Sequence, residues 1–197
     1  MTGPDGRYRL PSPRTSELPM AFTGWEFTRG ALIAWLGFNL LAPLVIAGSG
    51  IVAGLLIPHN SGIGYAGATL VIAPMVLVPW SLGAVLILGA PLALVLGRAL
   101  RGTTRRRTHR AAFAGLGAFV GAATTIVYTW YRSIPPAGVT ITYHVSPPTP
   151  LDLILANWWM ILLMAGTTAT TVALGWRLTA TWALRADMRG AAETATV

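Results

Sequence analysis

Apolar positions along this chain come in long runs, and polar positions come in clusters between them. Four stretches carry no Asp, Glu, Lys, Arg or His: Gly30 to Pro58 (29 residues), Asn60 to Gly97 (38), Ala111 to Tyr131 (21) and Leu153 to Trp176 (24). A hydrocarbon layer about 30 Å thick is crossed by roughly 20 apolar residues in a helix. Each run meets that length. The pattern predicts spans over residues 30–57, 68–97, 111–131 and 153–176. The expected fold class is all-α, an integral membrane bundle of four transmembrane helices.

The second run is long enough to be misread as two spans, and arginine placement decides against that. Positive residues stay on the cytoplasmic side, mostly in short loops near span ends. With four spans, one side holds Arg7, Arg9, Arg14, Arg29, Arg98, Arg101, Arg105, Arg106, Arg107, Arg110, Arg177, Arg185 and Arg189, and the other holds only Arg132. The N-terminus and C-terminus are therefore expected in the cytoplasm. Residues 98–110 form a basic cytoplasmic loop, and residues 132–149 an extracytoplasmic one. The glycine-rich stretch Ser61 to Gly67 suits an outer loop, or a shallow re-entrant piece over residues 60–67, before the second span. That span, at about 1.5 Å per residue, must tilt, kink or protrude.

Composition agrees. The chain of 197 residues is 54% hydrophobic and 10% charged, against about 25% charged in a soluble domain. Cysteine is absent, which excludes disulfides and thiolate metal sites. Residues 1–22 and 190–197 hold few large apolar side chains and are expected to be disordered tails around a membrane domain of residues 23–189. No cleavable signal peptide is expected, because prolines fill the segment before the first apolar run.

Local signals mark the ends of the spans. Thr23-Gly24-Trp25-Glu26 has capping-box spacing. Thr149-Pro150-Leu151-Asp152 places a capping Thr before Pro at the first helical position, with an acid at the third. Trp25, Trp176 and Trp182 fall at the inner boundary, and Tyr128, Trp130, Tyr131, Trp158 and Trp159 at the outer one.

Lipid is as apolar as leucine, so small residues that let backbones approach are the contact signal. Gly50 and Gly54 mark the first span, and Gly89, Ala93 and Gly97 the second. Gly117 and Gly121 mark the third, beside a second row of Ala114, Ala118 and Ala122. With two such rows the third span is the expected central helix. Pro43, Pro74, Pro79 and Pro91 interrupt the first two spans. They read as hinges or a substrate-lining break, or simply as the prolines common in membrane helices.

Candidate chemistry is sparse. No ionisable residue falls inside a span, which argues against proton-coupled exchange, voltage sensing and acid-pair proteolysis. Asn39 is a candidate for a bond to another helix, whereas Thr167, Thr168, Thr170 and Thr171 are expected to bond back to their own helix. Ser81 and Thr124 read the same way. His59, His144 and Asp152 match no metal motif, so no metal, cofactor or catalytic residue is assigned. His109 is expected only to add charge to its loop. There is no P-loop, HExxH, GxSxG or strand-linked GxGxxG.

Arg98, Arg101, Arg105, Arg106, Arg107 and Arg110 suit anionic inner-leaflet lipids. Nucleic acid is not an expected partner, because no aromatic residue interleaves these arginines. Residues 139–145 alternate apolar and polar like a half-buried strand, which suits a lid over the bundle or strand addition to a partner.

Three functions follow as expectations. The first is a non-catalytic accessory or assembly subunit, with a larger membrane partner or self-association. The second is a permease or pore subunit for a small solute. The third is an interfacial enzyme, for which only His59, His144, Asp152 and Glu26 are on offer.

Overall fold

The computed structural model describes residues 13–15, 17–18, 20–56, 62–134 and 149–195. The elements are α1 (Gly24–Leu56), α2 (Gly62–Ala84), a π-helical turn (Val85–Gly89), α3 (Ala90–Leu100), α4 (Arg106–Arg132), α5 (Pro150–Ala156) and α6 (Trp158–Ala195). No strand occurs among the described residues. The alternating segment 139–145, His59 and His144 lie outside them. Four helical rods are long and apolar enough to cross a membrane: Gly24–Leu56, Gly64–Leu100, Arg106–Arg132 and Trp158–Arg189.

Both expected capping boxes form. Glu26 N–H donates to Thr23 Oγ1 (3.2 Å) and Thr23 N–H to Glu26 Oε2 (2.9 Å). At α5, Asp152 N–H donates to Thr149 Oγ1, while Thr149 donates from Oγ1 (2.7 Å) and N–H (2.9 Å) to the Asp152 carboxylate. The side-chain bond, then the backbone bond, hold the Asp152 pKa below the ordinary carboxylate value. A group with a depressed folded pKa stabilises above its unfolded value and ceases to as the pH falls through the folded one. Protection of the Asp152 and Leu153 amides from hydrogen exchange is therefore expected to fall only below about pH 4. Asp152→Asn should remove that pH dependence.

Four expectations need correction. The glycine-rich stretch is helical from Gly62, not a loop. The Tyr65 ring fills the notch at Gly50, where a Cβ would stand 2.5 Å away, and Ala66 and Thr69 are buried. Packing on α1 thus overrides the low helix propensity of glycine.

The fourth run is not one helix. Asn157 leaves helical geometry (φ −106°, ψ 17°), and its Nδ2 donates to Leu153 O (2.8 Å), separating α5 from α6.

Neither tail is wholly disordered. α6 continues to Ala195. Residues before α1 dock as well, because the Arg14 guanidinium meets Glu26 and Asp187 at 2.9 Å each.

The central rod is α6, not α4. It packs along both α1 and α4, and α1 in turn packs on α2. The reason is a row of small residues at four-residue spacing, Thr167, Thr171, Gly175, Thr179 and Ala183, all of them buried. A Cβ at Gly175 would stand 2.8 Å from Gly30 O of α1. On its other side α6 receives the Gly117 and Gly121 notches of α4, whose Cβ positions lie 2.8 Å from Thr168 O and 2.7 Å from Met164 O.

The interior holds the smaller and more polar side chains. Ala42, Ala47, Ala66, Ala183, Thr69, Ser81, Thr167 and Thr171 are buried, whereas Leu40 (73%), Leu55 (80%), Met75 (75%) and Ile87 (75%) face outward. Water would not tolerate that exterior, whereas lipid makes it neutral. The π turn precedes Pro91, and Ala90 N–H bonds Val85 O five residues back. The widened turn accommodates the ring at the position where an α-helical bond is lost.

Candidate functional site

α4 meets the α2–α3 rod only lightly, so the bundle is left open along that seam. A cavity of about 960 Å³ occupies the gap among α1, α2, α3, α4 and α6. Its middle is walled by apolar and hydroxyl side chains, including Ile72, Val76, Val120, Thr124 and Met164. Its ionisable lining groups, Arg14, Glu26, His109 and Arg132, all sit near its two ends. The volume lies at the upper end of the roughly 300–1,000 Å³ typical of small-molecule sites.

One wall is pinned by a polar cluster. Trp35 Nε1–H and Asn39 Nδ2–H both donate to Ser81 Oγ (3.0 and 3.1 Å), which also lies within bonding distance of Asn39 Oδ1 (3.3 Å) and Val78 O (3.2 Å). Asn39 thus makes its cross-helix bond, with Trp35 as an additional donor. Interhelical bonds of this kind contribute about 0.6–2 kcal/mol in a membrane. Ser81→Ala leaves the half-buried Trp35 Nε1–H without its partner, while Asn39 Nδ2 keeps its bond to Trp35 O (2.9 Å), and is expected to destabilise by about 1–2 kcal/mol, read from denaturant unfolding in micelles. Double substitution with Asn39→Leu should cost less than the sum of the singles. The threonines of α6 instead bond back: Thr167 to Leu163 O, Thr168 to Met164 O, Thr170 to Gly166 O and Thr171 to Thr167 O.

The end nearer the termini is closed by the segment before α1. Arg14 gives two bonds from Nη2 to the Glu26 carboxylate and one from Nη1 to Asp187, all at 2.9 Å. Met20 N–H donates to Arg101 O (3.3 Å). The Phe22 ring covers Gly97, where a Cβ would stand 2.5 Å away, and stacks on Phe27. Opposite it, His109 is buried, 3% exposed, with its ring on Trp176 (5.5 Å). Thr103 O can only accept, so His109 Nε2 carries the proton of that 2.8 Å bond. His109 is thus a loop anchor rather than simply an added charge. At the opposite end Trp80 packs edge-on to Tyr128 (5.6 Å) and tilted against Tyr131 (6.3 Å).

The expected contact residues divide. Gly50, Gly117 and Gly121 abut neighbouring helices, and Gly97 abuts Phe22. Gly89 and Ala93 line the cavity, and the Gly89 notch meets only its own turn. Gly54 is half-buried near the end of α1. Gly30 and Gly37 of α1 meet Thr179 and Thr171 of α6, and Gly175 of α6 meets Gly30 and Ala34, so the α6 side of this contact is a stripe that threonine disguised in the sequence. Arg98, Arg101, Arg105, Arg106, Arg107 and Arg110 are all exposed around the α3–α4 turn. Among the described residues no group of three His, Asp or Glu side chains is placed to hold a metal.

Four apolar helical rods around an intramembrane cavity define a multi-pass α-helical membrane protein. No known protein family, characterised protein or solved structure matches this chain.

Proposed function

We propose that this is a non-catalytic protein of a cytoplasmic membrane that holds an apolar or amphipathic molecule in its interhelical cavity, with both termini on the cytoplasmic side. The cavity carries this reading. It offers a largely apolar lining, and its middle lacks the acid and base groups that coupled transport or hydrolysis requires. Purified protein is expected to bind an environment-sensitive apolar fluorophore at one saturable site. Thr125→Phe, which fills the lining of the cavity, should abolish that site. Absence of saturable binding to the unaltered protein contradicts the reading.

The topology rests on the arginines. Arg14, Arg29, the six of the α3–α4 turn and the three of α6 gather at one end, and Arg132 stands at the other. That asymmetry supports a cytoplasmic location for the arginine-rich end. Arg105, Arg106 and Arg107 also stand at the N-terminus of α4, where the helix dipole disfavours cations. Anionic headgroups relieve that repulsion, which supports inner-leaflet anionic lipids as partners.

A second reading has its own observation. Only 6% of the most apolar window of the α2–α3 rod is buried. The low burial supports an accessory or self-associating subunit whose rod receives a second copy or a larger membrane partner. Gentle extraction from native membranes should then yield a complex heavier than one chain. A bare monomer removes this reading and leaves the first intact.

A further inference from the structure

Four Arg, Glu or His side chains line the cavity: Arg14, Glu26, His109 and Arg132. Glu26 and Arg14 neutralise one another, and His109 is bonded to Thr103 O. Arg132 lines the cavity and is exposed at the end of α4, and among the described residues no carboxylate pairs with it. Under the topology proposed above, it is also the one arginine of the sequence assigned to the extracytoplasmic side. Positive charge there opposes the asymmetry that orients membrane proteins. Dipole complementarity at a helix C-terminus makes Arg132 tolerable, but it does not account for its place in a cavity wall. Tyr128 and Thr129 line the same wall one turn away, and Asn157, at the α5–α6 break, lines the cavity too.

The lining runs down α4 from Arg132 through Tyr128, Thr124 and Gly117 to Phe113. At about 1.5 Å per residue that path is about 28 Å long, against about 15 Å for the hydrocarbon of one leaflet. Acyl chains starting at Arg132 therefore find a wall along their full length, first of Tyr128 and of Thr129, Thr125 and Thr124, then of Val120. The threonine hydroxyls bond back to α4 carbonyls and so present mainly their methyl groups.

We propose that the cavity takes one membrane lipid with an anionic headgroup, its phosphate on Arg132 and its acyl chains along α4. This deepens the reading of the cavity as an apolar-ligand site and rests on it. Under the topology above, the lipid enters from the outer leaflet. Guanidinium–phosphate pairing supplies the headgroup preference, and the apolar wall supplies the rest.

The test is lipid retention. Purified protein is equilibrated with mixed micelles containing equal phosphatidylglycerol and phosphatidylcholine, passed through a sizing column, and weighed with its retained lipid by native mass spectrometry. One phosphatidylglycerol per chain is expected, favoured about fivefold over phosphatidylcholine. Arg132→Gln should erase the preference. It alters an exposed residue at a helix end, and circular dichroism checks its fold.

Arg106→Gln with Arg107→Gln is the control for surface attraction. It should weaken binding to phosphatidylglycerol vesicles and leave the retained lipid unchanged. Loss of the retained lipid in that control, or an unaltered preference in Arg132→Gln, overturns the proposal. If Arg132→Gln changes nothing while Thr125→Phe still expels the lipid, the cavity reading survives and the headgroup assignment fails. If Thr125→Phe also changes nothing, both fail.

Discussion

Gly117→Val destabilises the bundle by about 3 kcal/mol or more, at the upper end of the usual overpacking cost. A Cβ at this position stands 2.8 Å from Thr168 O and 2.9 Å from Ala169 Cα. Both are backbone atoms of α6, so no rotamer change relieves the clash, and the helices must separate. Gly121→Val behaves alike, because its Cβ stands 2.7 Å from Met164 O. Gly115 is the matched control, with the same helix, the same residue type and nothing within 4 Å of its Cβ position. Gly115→Val should change stability by less than about 1 kcal/mol. Unfolding in mixed micelles reads the difference, and equal stability of the Gly115 and Gly117 variants would remove α4–α6 contact as the organising interface.

Arg14→Glu opens the mouth of the cavity at the termini. The reversal replaces a guanidinium held by two carboxylates with a third acid beside Glu26 and Asp187. The side chains are 13%, 15% and 33% exposed, so screening by water is incomplete. Removing a partner from such a pair costs more than breaking a fully exposed one. A loss of about 2 kcal/mol multiplies the open population roughly thirtyfold. The chain has no cysteine, so Ala93→Cys, on the cavity wall, gives a single reporter. Its labelling by a membrane-impermeant thiol reagent, applied to inverted vesicles, should rise about tenfold or more when Arg14 becomes Glu. Arg14→Lys should rise less. An unchanged rate means that Met20 and Phe22 close the mouth without help from the ion pairs.

The spans were legible because absence of charge over 21 to 38 residues has few other physical meanings. The capping boxes at Thr23 and Thr149 were legible because they are local. The cross-helix bond of Asn39 was legible as a need, since an amide in lipid must find a partner, but Ser81 could not be singled out among the hydroxyls. What escaped was whatever depends on which faces meet. Rows of Gly and Ala in α4 drew attention to that helix. The row that makes α6 central is mostly threonine, whose small size is masked by its hydroxyl until Thr167 and Thr171 are seen bonding back to their own carbonyls. Docking of Arg14 escaped too, because Asp187 lies 173 residues away in sequence. The cavity left no signal in any single segment, since it is made by α2 and α4 meeting at the Trp80–Tyr128 end and staying apart along most of their length.

The most direct test is topological. Reporter proteins that act only outside, or fluoresce only inside, are fused after Arg106, after Ser133 and at Val197. An inside signal is expected at Arg106 and Val197 and an outside signal at Ser133. An outside signal at Arg106 or Val197 overturns the four-span topology.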